Sequence, residues 1–200
     1  MMQAEKELIE KIVAGDAPAF RFLVESYQRL VCHVVFRMVS NEADREELCQ
    51  EVFVKVFQHL KNFNFQSKLS TWIARIAYNT CINYLKKKKM PLYDDLAETG
   101  TDFPEEKALG FVEGVPGDLP APDELAANRE IRLFLHEAIG ELPAQYRAIL
   151  TLYHLDEMSY KEIGEIINLP EGTVKSYLFR ARKLLKERML EKYSAEELMP

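Results

Sequence analysis

The sequence predicts an all-α protein: two small helical domains, residues 1–90 and 125–200, joined by an acidic linker at 91–124. Three observations predict it. Apolar residues recur at three- and four-residue steps on both sides of the linker. No alternating strand pattern of useful length occurs. Five of the nine prolines and four of the eight glycines fall between Met90 and Glu124, a composition that suits a solvated connector.

The elements follow in chain order. Leu8 and Ile12 begin the helical pattern. Asp16-Ala17-Pro18 reads as an N-cap with proline in the first turn, ahead of Phe20, Leu23, Val24, Tyr27 and Val31. Asn41-Glu42-Ala43-Asp44 starts the next helix, with Val52, Val56 and Leu60 on its apolar side. Ser70-Thr71-Trp72 opens a third, running to about Leu85. Beyond the linker, periodicity resumes at Leu125 with Ile131, Phe134, Leu135, Ala138 and Leu142. Pro143 begins a helix carrying Ile149, Leu150 and Leu152.

The last stretch is the most informative. Ser159 and Glu162 form a capping-box pair at the head of a short amphipathic helix. Asn168-Leu169-Pro170-Glu171-Gly172 is a turn, and Asn168 suits a left-handed helix end. Thr173 caps or begins a second helix with Val174, Leu178, Ala181 and Leu185 inward. Gly164 lets the two helices approach closely. This is a helix-turn-helix. Its outer face carries Thr173, Lys175, Ser176, Arg180 and Lys183, and residues 172–188 hold six lysines and arginines against one glutamate. A polar first turn with a basic continuation fits a major groove, base edges first and phosphates after. A solvated hairpin with a basic face is the plainer alternative.

Net charge is −6, but it is unevenly spread: +4 over residues 1–89, −9 over 90–128 and −1 over 129–200. The acid therefore sits between two domains that are basic or near neutral. Two segments of the first domain stand out. On Glu46–Phe57, the polar residues Glu47, Gln50, Glu51 and Lys55 share one helix face. Such a face can take a partner helix, or be the wet side of an amphipathic helix. From Lys68 to Lys89 there are six cations and no acid, interleaved with aromatics and amides, and Phe63-Asn64-Phe65-Gln66-Ser67 lies just upstream. Cations for phosphates, aromatic faces for bases and amides for base edges are what single-stranded DNA binding requires. The alternative here is a core face ending in solvated lysines.

Both halves together resemble one family, the extracytoplasmic-function (ECF) type of bacterial RNA polymerase sigma factor. Asp44 to Phe63 and Lys68-Leu69-Ser70-Thr71-Trp72-Ile73-Ala74-Arg75-Ile76-Ala77-Tyr78-Asn79 look like its second domain. Glu141-Leu142-Pro143, Tyr160 to Ile166, and Gly172-Thr173-Val174-Lys175-Ser176 through Arg180-Ala181-Arg182 look like its fourth. The resemblance implies a factor that directs core RNA polymerase to promoters in an envelope or stress response. It implies that Glu47, Leu48, Gln50, Glu51 and Phe53 grip the polymerase clamp. Phe63, Asn64, Phe65, Ser67 and Lys68 would form a pocket for a base flipped from the −10 element. Trp72, Asn79 and Asn83 would lie beside the melted strand, with Lys86 to Lys89 on phosphates. Thr173, Lys175, Ser176, Arg180 and Lys183 would read the −35 duplex. The linker would thread toward the RNA exit path. Such factors are commonly held by an anti-sigma factor.

The remaining expectations are negative. No apolar run approaches bilayer length, and the N-terminus lacks the order of a signal peptide, so a cytoplasmic protein without membrane insertion is expected. Cys32, Cys49 and Cys81 form no CxxC pair and read as small buried hydrophobes. No HExxH, GxxxxGK[ST] or GxSxG occurs. No catalytic site, metal, cofactor or small-molecule substrate is expected. The rival reading is a helix-turn-helix regulator that binds duplex DNA, as a dimer, without polymerase.

Overall fold

The computed structural model describes residues 2–88 and 122–193. The first domain comprises α1 (Met2–Val13), α2 (Ala17–Met38), α3 (Glu42–His59), a 3-10 turn (Leu60–Asn62) and α4 (Leu69–Lys87). The second comprises α5 (Pro122–Glu141), α6 (Ala144–His154), α7 (Tyr160–Ile167) and α8 (Glu171–Lys192). No strand occurs among the described residues. The all-α reading stands. Most of the expected linker, with Lys89, lies outside the described residues.

Local chemistry accounts for the helix ends. The Asp16 carboxylate accepts the Ala19 amide at 3.0 Å, with Pro18 in the first turn. Asn41 Oδ1 accepts the Ala43 amide at 3.0 Å. At α7 the capping box is complete: the Ser159 hydroxyl accepts the Glu162 amide at 3.3 Å and the Glu162 carboxylate accepts the Ser159 amide at 2.9 Å. Asn168 closes α7 in the left-handed region, φ 58 and ψ 48, a conformation asparagine tolerates.

Two boundaries differ from expectation. α8 begins at Glu171 rather than Thr173, because the Pro170 carbonyl accepts the Thr173 and Val174 amides at 2.9 and 3.1 Å. Thr173 is thus inside the first turn. α5 begins at Pro122, within the stretch read as linker; proline needs no amide partner in a first helical turn.

In the first domain Leu23, Val31, Val34 and Met38 of α2 pack with Val52 and Val56 of α3 and with Leu69, Ile73, Ala77 and Cys81 of α4, all buried. In the second, Ile149, Leu152, Ile163, Val174 and Leu178 are buried together. A smaller cluster of Ala138, Leu185 and Met189 ties α5 to α8. Cys32 Sγ lies 3.9 Å from Cys49 Sγ. Burial pushes the Cys49 and Cys81 thiols up to about 12, so both stay protonated and inert near neutral pH.

The two domains share one continuous core. α2 packs on α6 and α4 packs on α7. Arg147 of α6, only 8% exposed, crosses the junction. Its Nη1 donates to the carbonyls of Gly140 and Leu142 at 2.7 and 2.6 Å, and its Nη2 to that of Met38 at 2.8 Å. Its Nε donates to the Arg37 carbonyl. These carbonyls terminate α5 and α2, where helices leave acceptors unsatisfied and the dipole favours a cation. Two side-chain pairs close the junction: Lys68 Nζ to Glu162 Oε1 at 2.7 Å, and His33 Nδ1 to Asp156 Oδ1 at 2.9 Å.

Candidate nucleic-acid and partner interface

The helix-turn-helix forms as its residues dictate. Ile163, Val174 and Leu178 are buried and Leu169 packs against them. Gly164 is required by contact: a Cβ there would stand 2.7 Å from the Leu169 carbonyl oxygen. Gly164→Ala is expected to cost about 1–3 kcal/mol by overpacking against backbone that cannot yield. Urea denaturation would check it; an unchanged midpoint would mean α7 and the turn shift without cost.

On the outer face of α8, Lys175 and Lys183 are exposed, and Thr173, Ser176 and Arg180 are partly exposed. All five predicted readers therefore reach the surface of one helix. Lys175 pairs with Glu171 at 3.2 Å and sits 5.4 Å above the Tyr160 ring. The sequence reading missed a neighbouring cluster. Tyr153 and Tyr160 stack at 5.2 Å, Arg182 lies 5.1 Å over Tyr153, and Arg182 Nη2 is 3.1 Å from His154 Nε2. Burial, then the Arg182 charge, hold His154 below its usual range, so a neutral ring accepts from the guanidinium. Arg182 follows Lys175 by seven residues, two helical turns along one face; that spacing was the available signal.

The face of α3 is only partly as expected. Glu47, Gln50 and Glu51 are exposed, and Glu51 pairs with Lys55 at 2.6 Å. Leu48 is a correction: at 5% exposure it belongs to the core, because its register matches Val52 and Val56. Phe53 is half-buried. The apolar residues in water are instead Val54 and Phe57, 53% and 51% exposed, one turn apart. Phe57 makes an edge contact with Phe20 at 5.0 Å.

The loop before α4 gathers its aromatics. Phe63 stands 4.8 Å from Phe65 and 5.4 Å from Trp72. Phe63 is buried at 6%, a second correction, so it underlies the loop instead of lining it. Phe65 is exposed at φ 58, Asn64 is exposed, and Ser67 and Trp72 are partly exposed. Asn64 Oδ1 accepts the Gln66 amide at 3.3 Å, which shapes the turn. Along α4, Arg75, Asn79, Asn83, Lys86 and Lys87 are exposed. Lys88 is engaged elsewhere: it donates to Asp44 at 2.6 Å, beside a 2.5 Å bond from Tyr84. The bond from Lys88 holds the Asp44 carboxyl low, and the same bond raises Lys88 to about 12. Lys68 is not free within this structure either; the bond from Lys68 holds the Glu162 carboxyl down at about 2.

Comparison with known proteins matches residues 23–90 to "Sigma-70 region 2" and 134–185 to "Sigma-70, region 4". The ECF RNA polymerase sigma factor SigW of Bacillus subtilis is 32% identical over 92% of this chain and 96% of its own length. The chain belongs to the ECF RNA polymerase sigma factor family. The ECF sigma-E factor of Escherichia coli is 35% identical over 90% of the chain and 92% of its own length. Among solved structures, CnrH in complex with the cytosolic domain of CnrY superposes with a TM-score of 0.63 at 19% identity, covering 95% of this chain and 99% of that one. A sigma factor RpoE with the anti-sigma factor NepR from Bartonella quintana gives 0.59 at 20% identity, over 87% and 98%.

This ECF sigma factor is thus a non-catalytic initiation factor whose partners are core RNA polymerase and promoter DNA. The rival regulator reading does not survive a match that spans both domains. No helix among the described residues is long and apolar enough to cross a membrane.

Proposed function

We propose that this sigma factor divides promoter recognition between two surfaces and holds polymerase by a third. The observation that carries the reading is the aromatic step at Phe63, Phe65 and Trp72, set at the head of a helix bearing exposed amides and cations and lacking any acid. Phe65, Asn64 and Ser67 receive a base unstacked from the −10 element; Phe63 supports them from below. Trp72, Asn79 and Asn83 line the separated strand, and Lys86 and Lys87 neutralise its phosphates. Thr173, Lys175, Ser176, Arg180 and Lys183, with Arg182 beside them, read the −35 duplex. Glu47, Gln50, Glu51 and Phe53, with Val54 and Phe57, engage the polymerase clamp.

The factor works in the cytoplasm, where polymerase and promoter are. An anti-sigma factor holds it, by analogy with the complexes of its structural neighbours. Its place in an envelope or stress response rests on the family name its relatives carry. The test is transcription in vitro: core polymerase with this protein on genomic fragments, start sites mapped. Discrete transcripts absent with core alone are expected; tight duplex binding without polymerase and no transcripts would sink the reading. Replacing both Lys86 and Lys87 with alanine is expected to flatten the salt dependence of open-complex binding by a log–log slope of about 1.4, two single-strand phosphates at about 0.7 each. An unchanged slope would remove these lysines from the strand.

A further inference from the structure

The cations of α8 are not all held alike. Lys175 faces Glu171 at 3.2 Å, Lys183 faces Glu187 at 4.0 Å, Arg188 faces Glu141 at 2.9 Å and Lys192 faces Glu130 at 3.5 Å. Arg182 is half-buried, and among the described residues no carboxylate lies within ion-pair distance of it. Neutral groups hold it instead. His154, the last residue of α6, accepts at Nε2 from Arg182 Nε at 3.4 Å and from Nη2 at 3.1 Å. The guanidinium lies 5.1 Å over the Tyr153 ring. That ring meets the His154 ring edge-on at 4.9 Å and stacks on Tyr160 at 5.2 Å, 10° from parallel. Lys175 stands 5.4 Å over Tyr160. One tyrosine from α6 and one from α7 thus each carry a cation of α8, and the two cations lie about 10.5 Å apart along the helix.

This arrangement fixes a charge without cancelling it. A carboxylate in place of His154 would orient Arg182 as firmly and neutralise it. An imidazole nitrogen and an aromatic face orient the guanidinium while leaving it a full cation. Part of its set of five N–H donors remains for an anion, and a planar fork held in one pose suits phosphate oxygens. We propose that His154 is a positioning residue for −35 binding: it accepts from Arg182 and so presets that guanidinium for a backbone phosphate of the duplex, beside the Lys175 that Tyr160 carries. The proposal rests on the reading of α8 as the −35 helix. Its advantage is entropic. A loose arginine gives up rotamer freedom when it meets a phosphate, and one already held by His154 and Tyr153 gives up less.

The test uses the whole chain bound to core polymerase. Binding is measured against salt on two promoter duplexes, one intact and one cut just downstream of the −35 element, and the ratio isolates the −35 contacts. Arg182→Ala is expected to lower the log–log salt slope of that ratio by about 0.9, one duplex phosphate. His154→Phe keeps a ring against Tyr153 and removes the acceptor. It is expected to weaken binding to the intact duplex about three- to tenfold with the slope unchanged, because Arg182 still reaches its phosphate but is no longer preset. His154→Gln puts a carbonyl oxygen near the place of Nε2 and is expected to recover most of the loss. Affinity for the cut duplex is expected to stay parental in all three.

Parental binding by His154→Phe, alongside a lowered slope in Arg182→Ala, overturns the positioning role and leaves the −35 reading in place. His154→Gln as weak as His154→Phe overturns it too, since the acceptor is then immaterial. So does an equal loss on the cut duplex, which makes His154 a residue of the fold alone. An unchanged slope in Arg182→Ala removes the phosphate and the proposal with it. Lys175→Ala, expected to lower the slope by about 0.9, then decides the reading of α8 separately.

Discussion

Arg147→Ala is expected to destabilise the protein by about 3–5 kcal/mol, the largest single effect on this chain outside the hydrophobic core. The guanidinium donates to four carbonyls at the ends of two helices, from a site only 8% exposed. Alanine leaves those acceptors without a donor. Each buried orphan costs about 1–3 kcal/mol, and the helix dipoles lose the cation that complements them. Arg147→Lys is expected to recover little, because one ammonium cannot fork to four acceptors in a plane. Burial already lowers the affinity of Arg147 for its proton. Urea denaturation followed by circular dichroism measures it. A loss below about 1 kcal/mol would mean that water fills the site and rebuilds the hydrogen bonds.

Trp72→Ala is expected to reduce promoter opening by about ten- to a hundredfold, since stacking a base on an aromatic is worth about 1–3 kcal/mol. Trp72 is the only tryptophan of the chain and rests on Phe63 at 5.4 Å. The substitution removes both a stacking face and a support for the loop. Trp72→Phe separates the two: it keeps the packing and most of the face, and is expected to lose only a few fold. Permanganate reactivity of the −10 thymines reports opening, and duplex binding at −35 reports the rest. Undiminished permanganate reactivity in Trp72→Ala would take Trp72 out of the strand path.

Much of this was legible beforehand, and the residues show why. Caps are local chemistry: Asp16, Asn41, Ser159–Glu162 and Asn168 act within a few residues of themselves, and each does in the structure what its type and position imply. The close approach at Gly164 was legible for the same reason. Register within a helix face was less so. Leu48 reads as part of a polar stretch, yet its spacing from Val52 and Val56 sends it inward while Val54 and Phe57 remain outside. Phe63 could have been wall or floor of its loop, and only the packing of Phe65 and Trp72 around it decides. What could not be read at all is long-range. Arg147 to Met38, Lys68 to Glu162 and His33 to Asp156 join residues about a hundred positions apart, and one sequence carries no local trace of such pairs. A lone arginine among apolar neighbours on α6 was the nearest hint.

The uncovered apolar residues of α3 carry a consequence for stability. Val54 and Phe57 stand in water for as long as no partner sits on them, and Phe22 of α2 is 59% exposed as well. A partner that covers this face binds the folded chain and not the unfolded one, and so stabilises it by mass action in proportion to the free partner present.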